Sequence, residues 1–125
     1  MIALDASALL AFLYVEPGHD GVAEVIDDSC ISAVNLSEVL GRFARDGHDP
    51  LAVLLRVSST TIEIVPFGTQ QAALAAALVP ATAIHGLSLG DRACLSLAGS
   101  RGIPALTADR AWANLDVGVT VRLIR

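Results

Sequence analysis

Residues 2–14 read IALDASALLAFLY, and the class of fold can be inferred from them. Residues 2–4 are typical of a buried strand and 7–14 of a helix, so the chain passes almost directly from one to the other. Asp5 stands between them, where a buried carboxylate is costly unless it is paired, hydrogen-bonded or bound to a metal. Two interpretations follow. Asp5 caps the helix, a task that Ser7 could also perform, or it belongs to a catalytic or metal site.

The composition favours one α/β domain. The chain has 125 residues, of which 54% are hydrophobic and only 4% aromatic, so Ala, Leu, Val and Ile must fill the core. No apolar run reaches the roughly 18 residues of a membrane helix, and no basic segment precedes the first strand, so we expect neither a membrane span nor a signal peptide. Cys30 and Cys94 lie in apolar segments without metal-ligand spacing, which predicts reduced core residues of a cytoplasmic protein.

The charge balance limits the partners of the chain. The formal net charge is −5, and all eight basic residues are arginine. An acidic chain is not an obvious nucleic-acid binder. Any activity on RNA or DNA would therefore need bound cations or a local arginine patch.

Strand and helix patterns alternate along the whole chain. The predicted strands are 2–5, 30–33, 61–65, 103–107 and 117–123, and the predicted helices are 7–14, 19–28, 35–46, 51–58, 69–79 and 88–101, with a turn or short helix at 109–114. We expect Pro80 to end the fifth helix and Pro104 to weaken the fourth strand or place it near an edge. The alternation predicts a parallel sheet covered by helices on both faces, as one domain over 1–125.

Four acidic residues follow strands or open the helices behind them. Asp5 ends the first strand, and Asp109 comes just after the fourth. Glu38 and Asp91 each lie in the first turn of a helix. Ligands of parallel sheets bind at the carboxyl ends of the strands. Because converging carboxylates need a cation to stay ionised, this pattern indicates a site for a hard ion such as Mg²⁺ or Mn²⁺, which would also let an acidic protein handle phosphate.

Each acid also has a purely structural interpretation. Asn35-x-x-Glu38 matches a capping box, Asp91 could simply favour a helix N-terminus, and Asp109 is a common turn residue. Asp91 is the most informative acid, because it falls within the apolar arc of its helix, opposite the sector of Arg92. That position points its carboxylate towards the core or a cleft beside it.

Four short motifs occur in a recognisable order and spacing over the whole chain. They are IALDASALLAFLYVEPG at 2–18, SAVNLSEVLGRF at 32–43, LSLGDRACLSLA at 87–98 and IPALTADRAW at 103–112. Together they resemble the PIN-domain ribonucleases, and most closely the VapC toxins of bacterial toxin–antitoxin pairs. The resemblance implies a PIN-like three-layer fold, with a short, mostly parallel central sheet of about five strands and helices on both faces.

The resemblance also implies a catalytic site that binds Mg²⁺ (or Mn²⁺). Its four carboxylates would be Asp5, Glu38, Asp91 and Asp109. Two hydroxyl residues, Ser7 and Thr107, would orient those carboxylates or a water molecule. Ala111 stands where some relatives carry a further acid, so the site would be a four-carboxylate version.

The implied activity is endoribonuclease hydrolysis of RNA phosphodiester bonds, with one metal activating water and a second stabilising the leaving 3′ oxygen. Arg92 and Arg110 directly follow two of the site aspartates. They are either contacts for RNA phosphates or exposed helix charges. Trp112 either stacks on a base or anchors the core or an interface. The implied partners are an RNA, whether tRNA, ribosomal RNA loop or mRNA, and a cognate antitoxin bound to a homodimer or a larger assembly.

Three other interpretations compete with the nuclease. A receiver domain and a haloacid-dehalogenase-type phosphatase both use a lysine, which this chain lacks, and the phosphatase needs an aspartate where Ser7 stands. A non-catalytic binding module with the same fold is the remaining alternative. Replacing one carboxylate separates it from the nuclease, because only the enzyme would lose cleavage.

Overall fold

Five short strands form one sheet in the order β3-β2-β1-β4-β5, in a computed structural model that describes residues 1–125. The strands are β1 (Ile2–Leu4), β2 (Ser29–Ser32), β3 (Glu63–Val65), β4 (Ala105–Thr107) and β5 (Val121–Leu123). Every neighbouring pair is parallel. The predicted parallel α/β sheet of five strands is therefore confirmed.

Seven α-helices and three 3₁₀ turns connect the strands. The helices are α1 (Ala6–Tyr14), α2 (His19–Val25), α3 (Ala33–Arg45), α4 (Pro50–Ser58), α5 (Thr69–Ala77), α6 (Val79–Thr82) and α7 (Leu89–Arg101). The 3₁₀ turns are Ile26–Asp28, Ala83–His85 and Arg110–Asn114. No helix has the length and apolar character needed to cross a membrane.

Alternation along the strands divides the core into two layers. On β1, Ile2 and Leu4 pack with the apolar faces of α1 to α4, while Ala3 points to the opposite side. Ala105 on β4 lies on the same side as Ala3, and both are completely buried. Because these side chains are small, α7 packs directly on the sheet, and every residue from 93 to 98 is buried. Helices thus cover both faces, as the sequence predicts.

The α7 side of the core also contains both cysteines and the tryptophan. Cys30 and Cys94 are free thiols with no exposed surface, which agrees with reduced core residues, and burial raises the pKa of each thiol. Trp112 is likewise fully buried. It is a core anchor of the 3₁₀ turn, so base stacking by this residue is wrong.

Two expectations about prolines are wrong. Helix α5 already ends at Ala77, and Pro80 stands in the first turn of α6, where the missing N–H has no helical partner to lose. Pro104 precedes β4, which lies between β1 and β5 rather than at an edge. Pairing of β4 begins at Ala105, and the Pro104 carbonyl still accepts a hydrogen bond from Ala3 N at 2.9 Å. The last strand is also shorter than 117–123, since only Val121–Leu123 pairs.

Candidate active site

The topology brings the candidate acids to one edge of the sheet. Asp5 directly follows β1, and Asp109 follows the neighbouring β4. Helix α3, which leaves β2, carries Glu38. Helix α7 packs against β1, β2 and α3, and its first turn carries Asp91.

Asp5 is the most buried of the four acids, with 5% of its surface exposed. Its Oδ2 accepts hydrogen bonds from Ser7 Oγ at 2.6 Å and from Thr107 Oγ1 at 2.9 Å, and no side chain donates to Oδ1. Burial raises the pKa of the Asp5 carboxyl; the two hydroxyls oppose this shift, and the charge of Asp91 adds to it. Asp5 occupies the N-cap position of α1, as one interpretation predicts, but its side chain makes no capping hydrogen bond.

The two hydroxyls also tie β4 to the start of α1. Ser7 Oγ accepts a hydrogen bond from Ala108 N at 2.9 Å, and Thr107 Oγ1 accepts one from Asp109 N at 3.0 Å. The backbone that carries Asp109 is therefore joined to the Asp5 carboxylate through Thr107. These contacts fix both the orientation of Asp5 and the path of the chain beyond β4.

Glu38 reaches the surface next to two other acids. Its Oε1 accepts a hydrogen bond from Asn35 Nδ2 at 3.0 Å. Partial burial raises the pKa of the Glu38 carboxyl, Asn35 opposes the shift, and the negative charges of Asp5 and Asp91 raise the pKa further. Three of the four acids are thus close enough to repel one another.

The predicted capping role of Asn35 is wrong. Helix α3 begins at Ala33, and Ser32 Oγ caps it by accepting a hydrogen bond from Val34 N at 3.2 Å. Asn35 lies inside the helix, fully buried, and its amide donates to Glu38 instead of accepting a backbone N–H. The sequence pattern misplaced this boundary because β2 runs directly into α3, which leaves no loop to mark the cap.

Asp91 and Asp109 each form hydrogen bonds within their own turn. Asp91 Oδ2 accepts a hydrogen bond from Ser88 N at 2.8 Å, and Ser88 Oγ accepts one from Asp91 N at 3.2 Å, which completes a capping box. Asp109 is exposed, and its Oδ1 accepts a hydrogen bond from Ala111 N at 3.0 Å. In each acid one carboxylate oxygen is therefore engaged, Oδ2 of Asp91 and Oδ1 of Asp109.

The charges around these acids favour a divalent cation as ligand. None of the four takes part in an ion pair, so no arginine, histidine or terminal amine lies within 4.0 Å of them. Four carboxylates without a cationic partner are a donor set that suits Mg²⁺ or Mn²⁺. No group of three or more His, Cys, Asp or Glu side chains is already arranged to hold a metal ion, however. Asp91 and Asp109 are turned towards the backbone of their own turns.

The two candidate arginines differ in their surroundings. Arg92 is partly buried, its Nη1 donates a hydrogen bond to Leu87 O at 2.9 Å, and its Nε is buried without a partner. It is therefore not an exposed helix charge. Arg110 is exposed beside Asp109 and is accessible to a ligand.

Sequence reasoning missed Gly90. A Cβ on this residue would lie 2.5 Å from Glu38 Cδ and 2.7 Å from Glu38 Oε2, so the Glu38 carboxyl occupies the space that a side chain would need. The signal was a glycine in the first turn of a helix, where it costs helix stability. Glycine at such a position is typical of a close approach by another group.

Comparisons with known proteins agree with this fold. The family model of the PIN domain matches residues 2–118. Among solved structures, the chain is similar to a toxin–antitoxin complex from Klebsiella pneumoniae, with 17% identity and a TM-score of 0.77 over 100% of this chain and 98% of that one. It is also similar to VapC20 from Mycobacterium tuberculosis, a sarcin–ricin loop cleaving toxin, with 16% identity and a TM-score of 0.73 over 96% and 99% of the two chains.

A third similar structure is VapBC-5 from Mycobacterium tuberculosis, with 26% identity and a TM-score of 0.64 over 98% of this chain and 96% of that one. No curated protein sequence matches significantly. The structural likenesses show a shared fold, and the family model covers nearly all of the chain. The chain therefore belongs to the PIN domain family.

Proposed function

We propose that this PIN domain is a metal-dependent endoribonuclease, the VapC-type toxin of a toxin–antitoxin pair. The observation that carries the proposal is the meeting of Asp5, Glu38 and Asp91 at the carboxyl edge of the sheet with no cationic side chain among them. An unpaired carboxylate as buried as Asp5 lowers stability, which is the usual sign of a functional site.

The chain would hold Mg²⁺ or Mn²⁺ through Asp5, Glu38, Asp91 and Asp109. A bound divalent cation would neutralise phosphoryl oxygens and activate a water molecule for hydrolysis. Ser7 and Thr107 would keep Asp5 ionised and oriented, because their hydrogen bonds favour its charged form. Arg110, exposed beside Asp109, would bind a phosphate that flanks the cleaved bond.

A cognate antitoxin is the protein partner that we propose. Several similar solved structures are toxin–antitoxin complexes, including VapBC from Salmonella typhimurium. Helix α4 exposes Leu51 and Leu55, one turn apart, at 66% and 72% of their surface. Apolar surface of this kind is commonly covered by a protein partner. The assembly would be a homodimer of this chain that binds the antitoxin.

A cleavage assay tests the activity. Purified protein would be incubated with total bacterial RNA in Mg²⁺, in Mn²⁺ and in EDTA, alongside Asp5→Asn and the control Asp116→Asn, which changes an exposed acid that is not one of the four. We expect discrete products from the wild type and the control, and none with EDTA or Asp5→Asn. Products that persist with Asp5→Asn would contradict the assignment.

A non-catalytic PIN-fold binding module is the second candidate. It is favoured by one observation, namely that no three ligand side chains are already grouped as a metal site. Calorimetry with Mn²⁺ separates the two, since a nuclease of this type must bind the ion and a module need not. Absent cleavage together with absent Mn²⁺ binding would favour the module.

A further inference from the structure

Two features outside the four acids converge on the carboxylate of Glu38. One is the amide of Asn35, one helical turn earlier on α3. The other is the bare Cα of Gly90, in the first turn of α7. Asn35 and Gly90 lie 55 positions apart and are themselves joined by a hydrogen bond.

The orientation of Asn35 is determined by its two partners. Nδ2 donates to Glu38 Oε1 at 3.0 Å and to Gly90 O at 2.9 Å, and both partners are acceptors, so only the amino group can face them. The other end of the amide, Oδ1, is buried without a hydrogen bond. A buried acceptor of this kind is unfavourable, and a leucine of similar size would avoid it. The amino group, which donates to Glu38 and Gly90, is therefore the functional end of the Asn35 side chain.

Gly90 provides space where any other residue would place a side chain. Its Cβ would collide with the carboxyl of Glu38, as described above. Gly41, a second helical glycine, has nothing within 4 Å of the equivalent position. The contrast identifies Gly90 as a clearance for Glu38 and not merely a tolerated glycine.

Glu38 needs such restraints because its carboxylate has no hydrogen-bond donor other than Asn35. Its side chain is exposed, lacks an ion pair and lies near the negative charges of Asp5 and Asp91. Repulsion between like charges and the rotamer freedom of a long side chain would both draw it into solvent.

We propose that Asn35 is a positioning residue that, with the clearance over Gly90, holds the Glu38 carboxylate against the first turn of α7 beside Asp91. The inference rests on the proposed function only in making Glu38 a ligand of the metal. Asn35 and Gly90 do not bind the metal themselves but determine where Glu38 lies.

Matched glycine variants test the clearance. Gly90→Ala and Gly41→Ala both remove a helical glycine, but only the first displaces Glu38. We expect Gly90→Ala to weaken Mn²⁺ binding about 10-fold to 100-fold, as changes behind metal ligands do, and Gly41→Ala to leave it unchanged. Isothermal titration calorimetry measures the affinity. Equal Mn²⁺ affinities for the two variants would overturn the proposal.

Asn35 is tested by a conservative rescue and by a double-mutant cycle. Asn35→Leu removes the donor and should weaken Mn²⁺ binding, whereas Asn35→Ser restores a short donor and should recover part of the affinity. With Glu38→Gln already present, Asn35→Leu should cause little additional loss, because it acts through Glu38. The same loss in both backgrounds would mean a purely structural role and would overturn the proposal.

Crystal structures of the metal-free protein test the positioning of Glu38 independently of the nuclease activity. Glu38 should stay within hydrogen-bond distance of Asn35 in the wild type and in Gly41→Ala, and should move away in Gly90→Ala. A protein that binds Mn²⁺ through an ordered Glu38 but cleaves no RNA would remove the proposed function and leave the inference standing. A Glu38 without an ordered position in the wild type would overturn the inference even if RNA is cleaved.

Discussion

Two pairs of acids in this chain have opposite surroundings. Glu63 on β3 receives two hydrogen bonds from Arg101, both at 2.8 Å, and Asp46 receives one from Tyr14 Oη at 2.7 Å and one from Arg42 Nε at 3.0 Å. These donors lower the pKa of both carboxyls. Glu63 and Asp46 are ordinary structural acids, stabilised by the groups beside them.

Asp5 and Glu38 accept hydrogen bonds only from neutral side chains and have no cationic partner. Burial raises the pKa of each carboxyl, and the neighbouring acids raise it further. The chain has eight arginines and places none of them within ion-pair distance of this edge of the sheet. The negative charge of the edge therefore has no cationic partner inside the protein, as expected where an external cation binds.

The strongest way to break this comparison is to neutralise one acid of each kind. We predict that Asp5→Asn lowers the rate of RNA cleavage by more than about 100-fold, beyond the usual effect of changing a residue behind a ligand. Glu63→Gln should leave the rate within a factor of about two, because it changes a structural pair far along the sheet. Initial rates on one RNA substrate measure both. A similar loss of cleavage rate in both variants would show that the rate depends on the stability of the protein and not on the candidate site.

A smaller effect is expected from the hydroxyls that hold Asp5. Thr107→Val removes a hydrogen bond to Asp5 Oδ2 and should weaken Mn²⁺ affinity about 10-fold to 100-fold, while Thr107→Ser should retain most of it. Thr82→Val is the matched control, since this buried hydroxyl bonds to Leu78 O and lies outside the site. Calorimetry with Mn²⁺ measures the affinities. Weaker binding by Thr82→Val to the same degree would contradict a specific role for Thr107.

Stability should change in opposite directions for the two kinds of acid. Without metal at pH 7, Asp5→Asn should raise the free energy of unfolding, because it removes a charge that burial disfavours. Glu63→Gln should lower it by about 0.2–1 kcal/mol, the usual contribution of an exposed ion pair, and less at high salt. Urea unfolding monitored by circular dichroism measures both. A loss of stability in Asp5→Asn would contradict the uncompensated charge.

The smallest effects are expected in how the stability changes caused by Asp5→Asn and Glu63→Gln depend on pH. Folding raises the pKa of Asp5 above its ordinary value of 3.8. The protein therefore loses stability as pH rises from 3.8 through the pKa that Asp5 has in the folded state. The advantage of Asp5→Asn should therefore vanish below about pH 3.8 and open above it. The pKa of Glu63 is lowered below 4.5, so its contribution is complete above that pH and is lost as pH falls through the folded value. Unfolding curves from pH 3 to 7, without metal, check both signs.

Much of the fold could be predicted because its signals are local. Strand 2–4, helix 7–14 and the glycine at 102 that ends α7 are each visible within a few residues. The exceptions are informative. Pro104 predicts a weak or edge strand, but β4 is central, because the proline falls one residue before the pairing begins.

The candidate site was predictable only as a set of acids. Parallel strands bring their carboxyl ends together, so the positions of Asp5 and Asp109 predict one shared edge. The ligand roles of the four acids stay predictions. The pattern could not show that Asp91 and Asp109 bond to their own turns, because side-chain direction depends on competing donors that sequence spacing does not reveal.

Periodicity and chain order act over short distances, so they are enough to predict the alternation of strands and helices, the parallel sheet and the edge at which the acids gather. The groups that surround those acids are visible only in the folded chain. Thr107 reaches Asp5 across 102 positions, and Asn35 reaches Gly90 across 55. Contacts between such distant residues depend on how α7 and β4 pack on β1, and no local pattern specifies that packing.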